Sequence, residues 1–89
     1  MVFVIARHSV TDYAKWKQAF EGAIAMRKAG GEKSIRIFRT IDDPNNLVLL
    51  MEWDNLENCQ KYMQSEDLQK AMQEAGVTGQ PDIYFLNEA

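Results

Sequence analysis

Two short runs, Val2-Phe3-Val4-Ile5 and Leu47-Val48-Leu49-Leu50-Met51, are apolar at every position. Both read as β-strands, and successive strand side chains point to opposite faces of a sheet. Every face of these two strands therefore needs cover. A chain of 89 residues makes one domain, with helices enough to blanket one side of a small sheet. An uncovered second side would be a larger apolar patch than soluble monomers usually carry. The economical cover is a second copy of the chain, sheet against sheet about a two-fold axis, so a homodimer is expected.

The rest of the chain supplies the helices and the remaining strands. Val2 to His8 is the first strand, after which Thr11 or Asp12 can cap a helix from Tyr13 to Ala29. Tyr13, Trp16, Phe20, Ala23 and Ile24 form its apolar stripe. Arg27 and Lys28 suit its last turn, and Gly30-Gly31 stops it. Lys33 to Ile41 and Leu47 to Trp53 are β-rich runs joined by Asp42-Asp43-Pro44-Asn45-Asn46, all turn formers, and so make a hairpin. Asp54 with Glu57 resembles a capping box for a helix through Met63. Ser65 caps another helical piece ending at Gly76, and Asp82 to Leu86 is the last strand after a loop marked by Gly79 and Pro81. The order β-α-β-β-α-α-β predicts a ferredoxin-like α+β domain spanning residues 1–89. It has a four-stranded antiparallel sheet with all helices on one face.

Composition excludes several functions. The net charge of −3 and scattered basic residues leave no footprint for nucleic acid. One cysteine rules out an intrachain disulfide, and no His/Cys cluster has metal-ligand spacing, so neither metal nor cofactor is expected. The run Val2 to Ala6 is too short for a signal peptide or a membrane span, and a reducing cytoplasm is the expected compartment.

His8 is the one side chain suited to proton transfer near neutral pH. Alternation puts it in phase with Val2, Val4 and Ala6, small residues that leave space beneath the helices, so it is expected to face a pocket on that side. The alternative is a strand-terminal histidine satisfied by backbone or water. No Asp, Ser or Cys stands nearby in sequence to complete a triad. Tyr13, Trp16 and Phe20 are first of all core residues. Tyr13, Trp16, Tyr62 and Tyr84 are candidates to line a pocket, because their polar ends need partners when buried. If Ile41 pairs with Leu47, Arg36 lies opposite Glu52, on the face with Phe38, Leu50 and Arg7, as a structural ion pair. Arg27 and Arg39 suit an acidic substrate or plain exposed charge equally well. Cys59, in phase with Leu56 and Met63, reads as a small buried hydrophobe.

The opening Ala6 to Trp16, the segment Glu52-Trp53-Asp54-Asn55-Leu56-Glu57, and Tyr62-Met63-Gln64-Ser65-Glu66-Asp67-Leu68 together resemble the dimeric α+β barrel superfamily. The resemblance is to its antibiotic-biosynthesis-monooxygenase-like branch. It spans nearly the whole chain and implies a homodimer with a small-molecule pocket. The activities it implies are a cofactor-independent monooxygenase, or a cyclase or isomerase, acting on an aromatic or polyketide-like metabolite. A non-catalytic ligand-binding or stress-associated dimer is the alternative, and a structural dimer with a filled pocket is a third. It also implies that Tyr62 stands where relatives place an aromatic against substrate. Haem-degrading relatives carry Trp and a ligating His where this chain has Tyr62 and Met72, which argues against haem degradation. A void of a few hundred Å³ with His8 and Tyr62 at its wall separates the ligand-binding readings from the structural one.

Overall fold

The computed structural model describes residues 1–89. The elements are β1 (Val2–Val10), α1 (Tyr13–Gly22), α2 (Ile24–Gly30), β2 (Glu32–Arg39), β3 (Asn46–Trp53), α3 (Leu56–Met63), α4 (Glu66–Glu74) and β4 (Val77–Leu86). The strands form one antiparallel sheet in the order β2-β3-β1-β4. This is the expected ferredoxin-like α+β fold.

Local chemistry explains the helix boundaries. Asp12 is the N-cap of α1, its carboxylate accepting from the Ala14 and Lys15 amides at 2.9 and 3.4 Å. The expected helix from Tyr13 to Ala29 breaks into two at Ala23, just past Gly22, where the backbone leaves helical geometry (φ −97, ψ 7). Asn55 rather than Asp54 caps α3, accepting from the Asn58 amide at 2.8 Å. The Asp54 carboxylate instead packs against Gly31, whose φ of 124° and lack of a side chain are both required there. Ser65 caps α4 as expected.

Alternation on the strands sorts the two faces. Val4, Ala6, His8 and Val10 of β1 and Leu47, Leu49, Met51 and Trp53 of β3 are buried on the helix side with Trp16, Cys59 and Ala75. Phe3, Ile5, Val48 and Leu50 take the opposite phase, with Phe38, Tyr84 and Leu86 beside them. Phe38, Tyr84 and Leu86 are exposed.

Three sequence readings are corrected. The β2–β3 register pairs Arg39 with Leu47 and Arg36 with Leu50, so Arg36 does not face Glu52; Ser34 does. The hairpin turn is two residues longer than assumed, because the Thr40 amide and hydroxyl bond across it to Asn46 and Asp43. β1 runs on to Val10 and β4 begins at Val77, taking in Gly79 and Pro81, since the edge of a sheet tolerates both. His8 therefore lies inside a strand and not at its end.

Candidate functional site

A cavity of about 150 Å³ separates the helices from the sheet. It exists because Ala6, Ala19, Ala23, Ala71 and Ala75 present methyl groups where larger side chains would close the space. Leu49 and Met51 of β3, Trp16 and Phe20 of α1, and Tyr62 and Met63 of α3 supply the larger walls, with α4 contributing Leu68 and Met72. The void is smaller than the few hundred Å³ anticipated, but the core has not collapsed onto itself.

His8 lines this cavity from the sheet and is 6% exposed. The β1–β4 register shifts between Arg7 and Ser9, so His8 stands at an irregularity with no paired residue on β4. Its ring lies 5.7 Å from that of Trp16. Burial pushes the imidazole pKa below its ordinary 6.5, which leaves the ring neutral at physiological pH. Nδ1 has no hydrogen-bond partner in the protein. A neutral imidazole without a partner, at the wall of an apolar cavity, can accept or relay a proton from a guest molecule.

From His8 a row of flat groups runs along α1. The Trp16 and Phe20 rings stack at 4.7 Å and 18°, and the Arg27 guanidinium lies 3.6 Å over the Phe20 ring. Arg27 is 1% exposed, so the reading of this residue as exposed charge is overturned. The sequence signal was its place in the helix stripe, seven residues after Phe20, which carries it inward. Its Nε donates to Glu32 Oε2 at 2.9 Å and its Nη1 to the Phe20 carbonyl at 2.8 Å. Nη2 is buried without an acceptor. Burial raises the Glu32 pKa, with the Arg27 charge and hydrogen bond working against that rise. Glu32 escaped sequence reasoning altogether, as it lies across the Gly30-Gly31 stop from its partner.

Tyr62 reaches the cavity from α3 and packs its ring 5.2 Å from that of Trp53. Burial raises its phenol pKa, opposed in part by the nearby Arg27 charge. His8, Trp16 and Tyr62 are thus brought together on one cavity. Tyr13 sits one step away, with its ring 6.0 Å from that of Trp16 and the Arg39 guanidinium 3.9 Å over it. The structure does not bring Tyr84 to the cavity. Tyr84 pairs with Ile5 on the helix-free face and is 61% exposed. Cys59 is fully buried and its thiol is pushed up to about 11 by that burial. No group of three His, Cys, Asp or Glu side chains is placed to hold a metal ion, and no helix is long and apolar enough to cross a membrane.

A family model described as antibiotic biosynthesis monooxygenase matches residues 1–74. The chain belongs to this family. Solved structures of the same fold include a protein from Bordetella bronchiseptica described as a putative antibiotic biosynthesis monooxygenase. It is 18% identical, has a TM-score of 0.81, and the match covers 99% of this chain and 96% of that one. SnoaB, a cofactor-independent oxygenase from Streptomyces nogalater, is 15% identical with a TM-score of 0.74, over 99% and 94% of the two chains. A conserved protein from Methanosarcina mazei is 13% identical with a TM-score of 0.78, over 99% and 92%. No curated protein matches the sequence significantly. As a family member, the chain keeps the ferredoxin-like domain of these structures over almost its whole length.

Proposed function

We propose that the protein is a homodimeric, cofactor-independent oxygenase of small aromatic or polyketide-like molecules, with His8 as its base. The observation that carries this reading is the buried, neutral, unpartnered imidazole on the wall of an apolar cavity. His8 takes the proton from an acidic substrate CH₂ group, and the resulting carbanion is electron-rich enough to reduce O₂. A C–O bond forms, the peroxide oxygen is protonated, and loss of water from the hydroperoxide leaves a carbonyl. Enclosure by Trp16, Phe20 and Tyr62 keeps solvent from quenching the anion. Family membership and the likeness to SnoaB support the same activity class.

In this reading Trp16 and Tyr62 contact the substrate and Tyr13 supports Trp16, while Tyr84 belongs to the dimer face. The exposed Phe38, Tyr84 and Leu86 beside Ile5 and Leu50 form the apolar surface that a second copy would cover. The test is oxygen consumption with cyclohexane-1,3-dione, a one-ring diketone whose CH₂ between the carbonyls is acidic, measured against autoxidation. Wild type should exceed the background and His8→Ala should fall to it. Equal rates in the two proteins would overturn the assignment of the base. A non-catalytic ligand-binding dimer is the second reading. It is favoured by one observation: no carboxylate or other group fixes the His8 ring through Nδ1.

A further inference from the structure

We infer that Arg27 is the oxygen-gripping residue of the cavity: its Nη2 donates to a phenolic or enolic oxygen on a one-ring guest and stabilises that oxygen as an anion. This rests on the reading of the cavity as the ligand site, and it adds a residue and a narrower ligand class.

Size comes first. A buried apolar void of about 150 Å³ accommodates a benzene ring, and this cavity has that volume. One ring fills the enclosed space, and a larger skeleton would project through the cavity's open side. Polarity comes next. Apart from the Trp16 indole N–H, only His8, Arg27 and Tyr62 among the lining residues offer strong polar side-chain groups to a guest. A guest is therefore read at few points, with the apolar lining setting its shape.

Arg27 differs from the other two in being a donor whose direction is fixed. Nε is tied to Glu32, Nη1 to the Phe20 carbonyl, and the guanidinium plane lies on the Phe20 ring. The remaining N–H groups on Nη2 complete no hydrogen bond within the protein, with the Tyr62 hydroxyl as the neighbouring polar group. Buried donors are almost always satisfied, so an orphan on a cavity wall marks where a guest oxygen belongs. Donors held in place before charge develops stabilise an oxyanion without reorganising. Glu32 already balances the guanidinium charge, so the site suits an oxygen that gains charge by losing a proton rather than a strong acid that is always ionised. The groups around the guanidinium are few: Glu32 from β2, Tyr62 from α3 and Phe20 from α1, with His8 at the far end of the aromatic row.

The experiment uses two one-ring probes, nitrobenzene and 4-nitrophenol, which share a shape and differ in an ionisable oxygen whose two forms absorb differently. Wild-type protein should bind both. Bound 4-nitrophenol should ionise about one pH unit or more below the free compound, equivalent to at least about tenfold tighter binding of the phenolate. The double variant Arg27→Met/Glu32→Gln leaves no lone buried charge. It should hold nitrobenzene within about twofold of wild type and lose the shift. Tyr62→Phe and His8→Ala should each keep most of the shift. A shift that is absent or reversed in wild type, survives the double variant, or disappears in Tyr62→Phe overturns the role of Arg27 and leaves the cavity reading standing. Failure of wild type to bind either probe overturns the cavity reading itself, and the inference with it.

Discussion

Removing Arg27 alone should make stability depend on pH more strongly than in the wild type. Arg27 and Glu32 side chains are each 2% exposed and joined at 2.9 Å. Arg27→Met leaves the Glu32 carboxylate buried with no counter-charge, a change that costs about 3–5 kcal/mol. Burial already raises the Glu32 pKa above its ordinary 4.5 against the pull of Arg27, and without that pull it rises further. A raised carboxyl pKa in the folded state means that the folded protein holds the proton while the unfolded chain releases it. Stability is then full below the unfolded pKa and falls as pH rises, by about 1.4 kcal/mol per unit, until the folded pKa is passed. Urea denaturation at about pH 5 and pH 7.5, followed by Trp fluorescence, reads this directly. Arg27→Met should be much weaker at the higher pH and recover substantially at the lower. Arg27→Met/Glu32→Gln should lie within about 2 kcal/mol of wild type at both. If the single variant is as stable as the double one at pH 7.5, the pair is not the uncompensated-charge hazard its burial implies.

His8→Ala should cost no more than about 1–2 kcal/mol, since the ring borders a void and makes no side-chain hydrogen bond. Because burial depresses the His8 pKa below 6.5, wild type should lose stability as pH falls from 6.5 through the folded pKa, and His8→Ala should lack that component in denaturation midpoints. Ala71→Leu, pointing extra bulk at the cavity, should leave stability unchanged or higher while weakening nitrobenzene binding at least about tenfold by titration. Sedimentation at micromolar concentration should give twice the 10.2 kDa chain mass, and Tyr84→Asp on the helix-free face should shift it toward monomer; a monomeric wild type would sink the dimer. Cys59, with its thiol raised to about 11, should resist a disulfide reagent at about pH 8 until urea unfolds the protein.

The fold was legible because the strand runs and turn formers are strong local signals. Val4, Ala6 and His8 share a phase that alternation alone assigns to the helix side, and there they lie. Register was not legible. A slip of two residues in the β2–β3 hairpin keeps every side chain on its proper face, so the hydrophobic pattern cannot detect it. The Thr40 bonds that fix the register are tertiary details of one turn. Tyr84 shows the same limit from another side. Its aromatic character suggested a pocket, but its face depends on which residue of β4 pairs with Ile5, and that is set by the register shift between Arg7 and Ser9. Arg27 and Glu32 were obscured for a different reason. Charged residues near a glycine stop usually face solvent, and that expectation outweighed the helical spacing that sets Arg27 over Phe20.

α4 is the one helix without a fully buried residue, although Leu68, Ala71 and Met72 all face the cavity. A nine-residue helix is marginal alone and depends on what it packs against, and here part of its underside is empty space. Its amides should therefore exchange with solvent faster than those of α1 or α3, through openings that leave the sheet intact. Such openings would widen the way in for a guest. Once inside, a guest would supply the neighbours that α4 lacks, so the door would be held by what has passed through it. Entry would then be timed by the breathing of α4 and exit slowed by the occupant. Hydrogen exchange confined to residues 66–74, damped on nitrobenzene binding, is the trace that this coupling leaves.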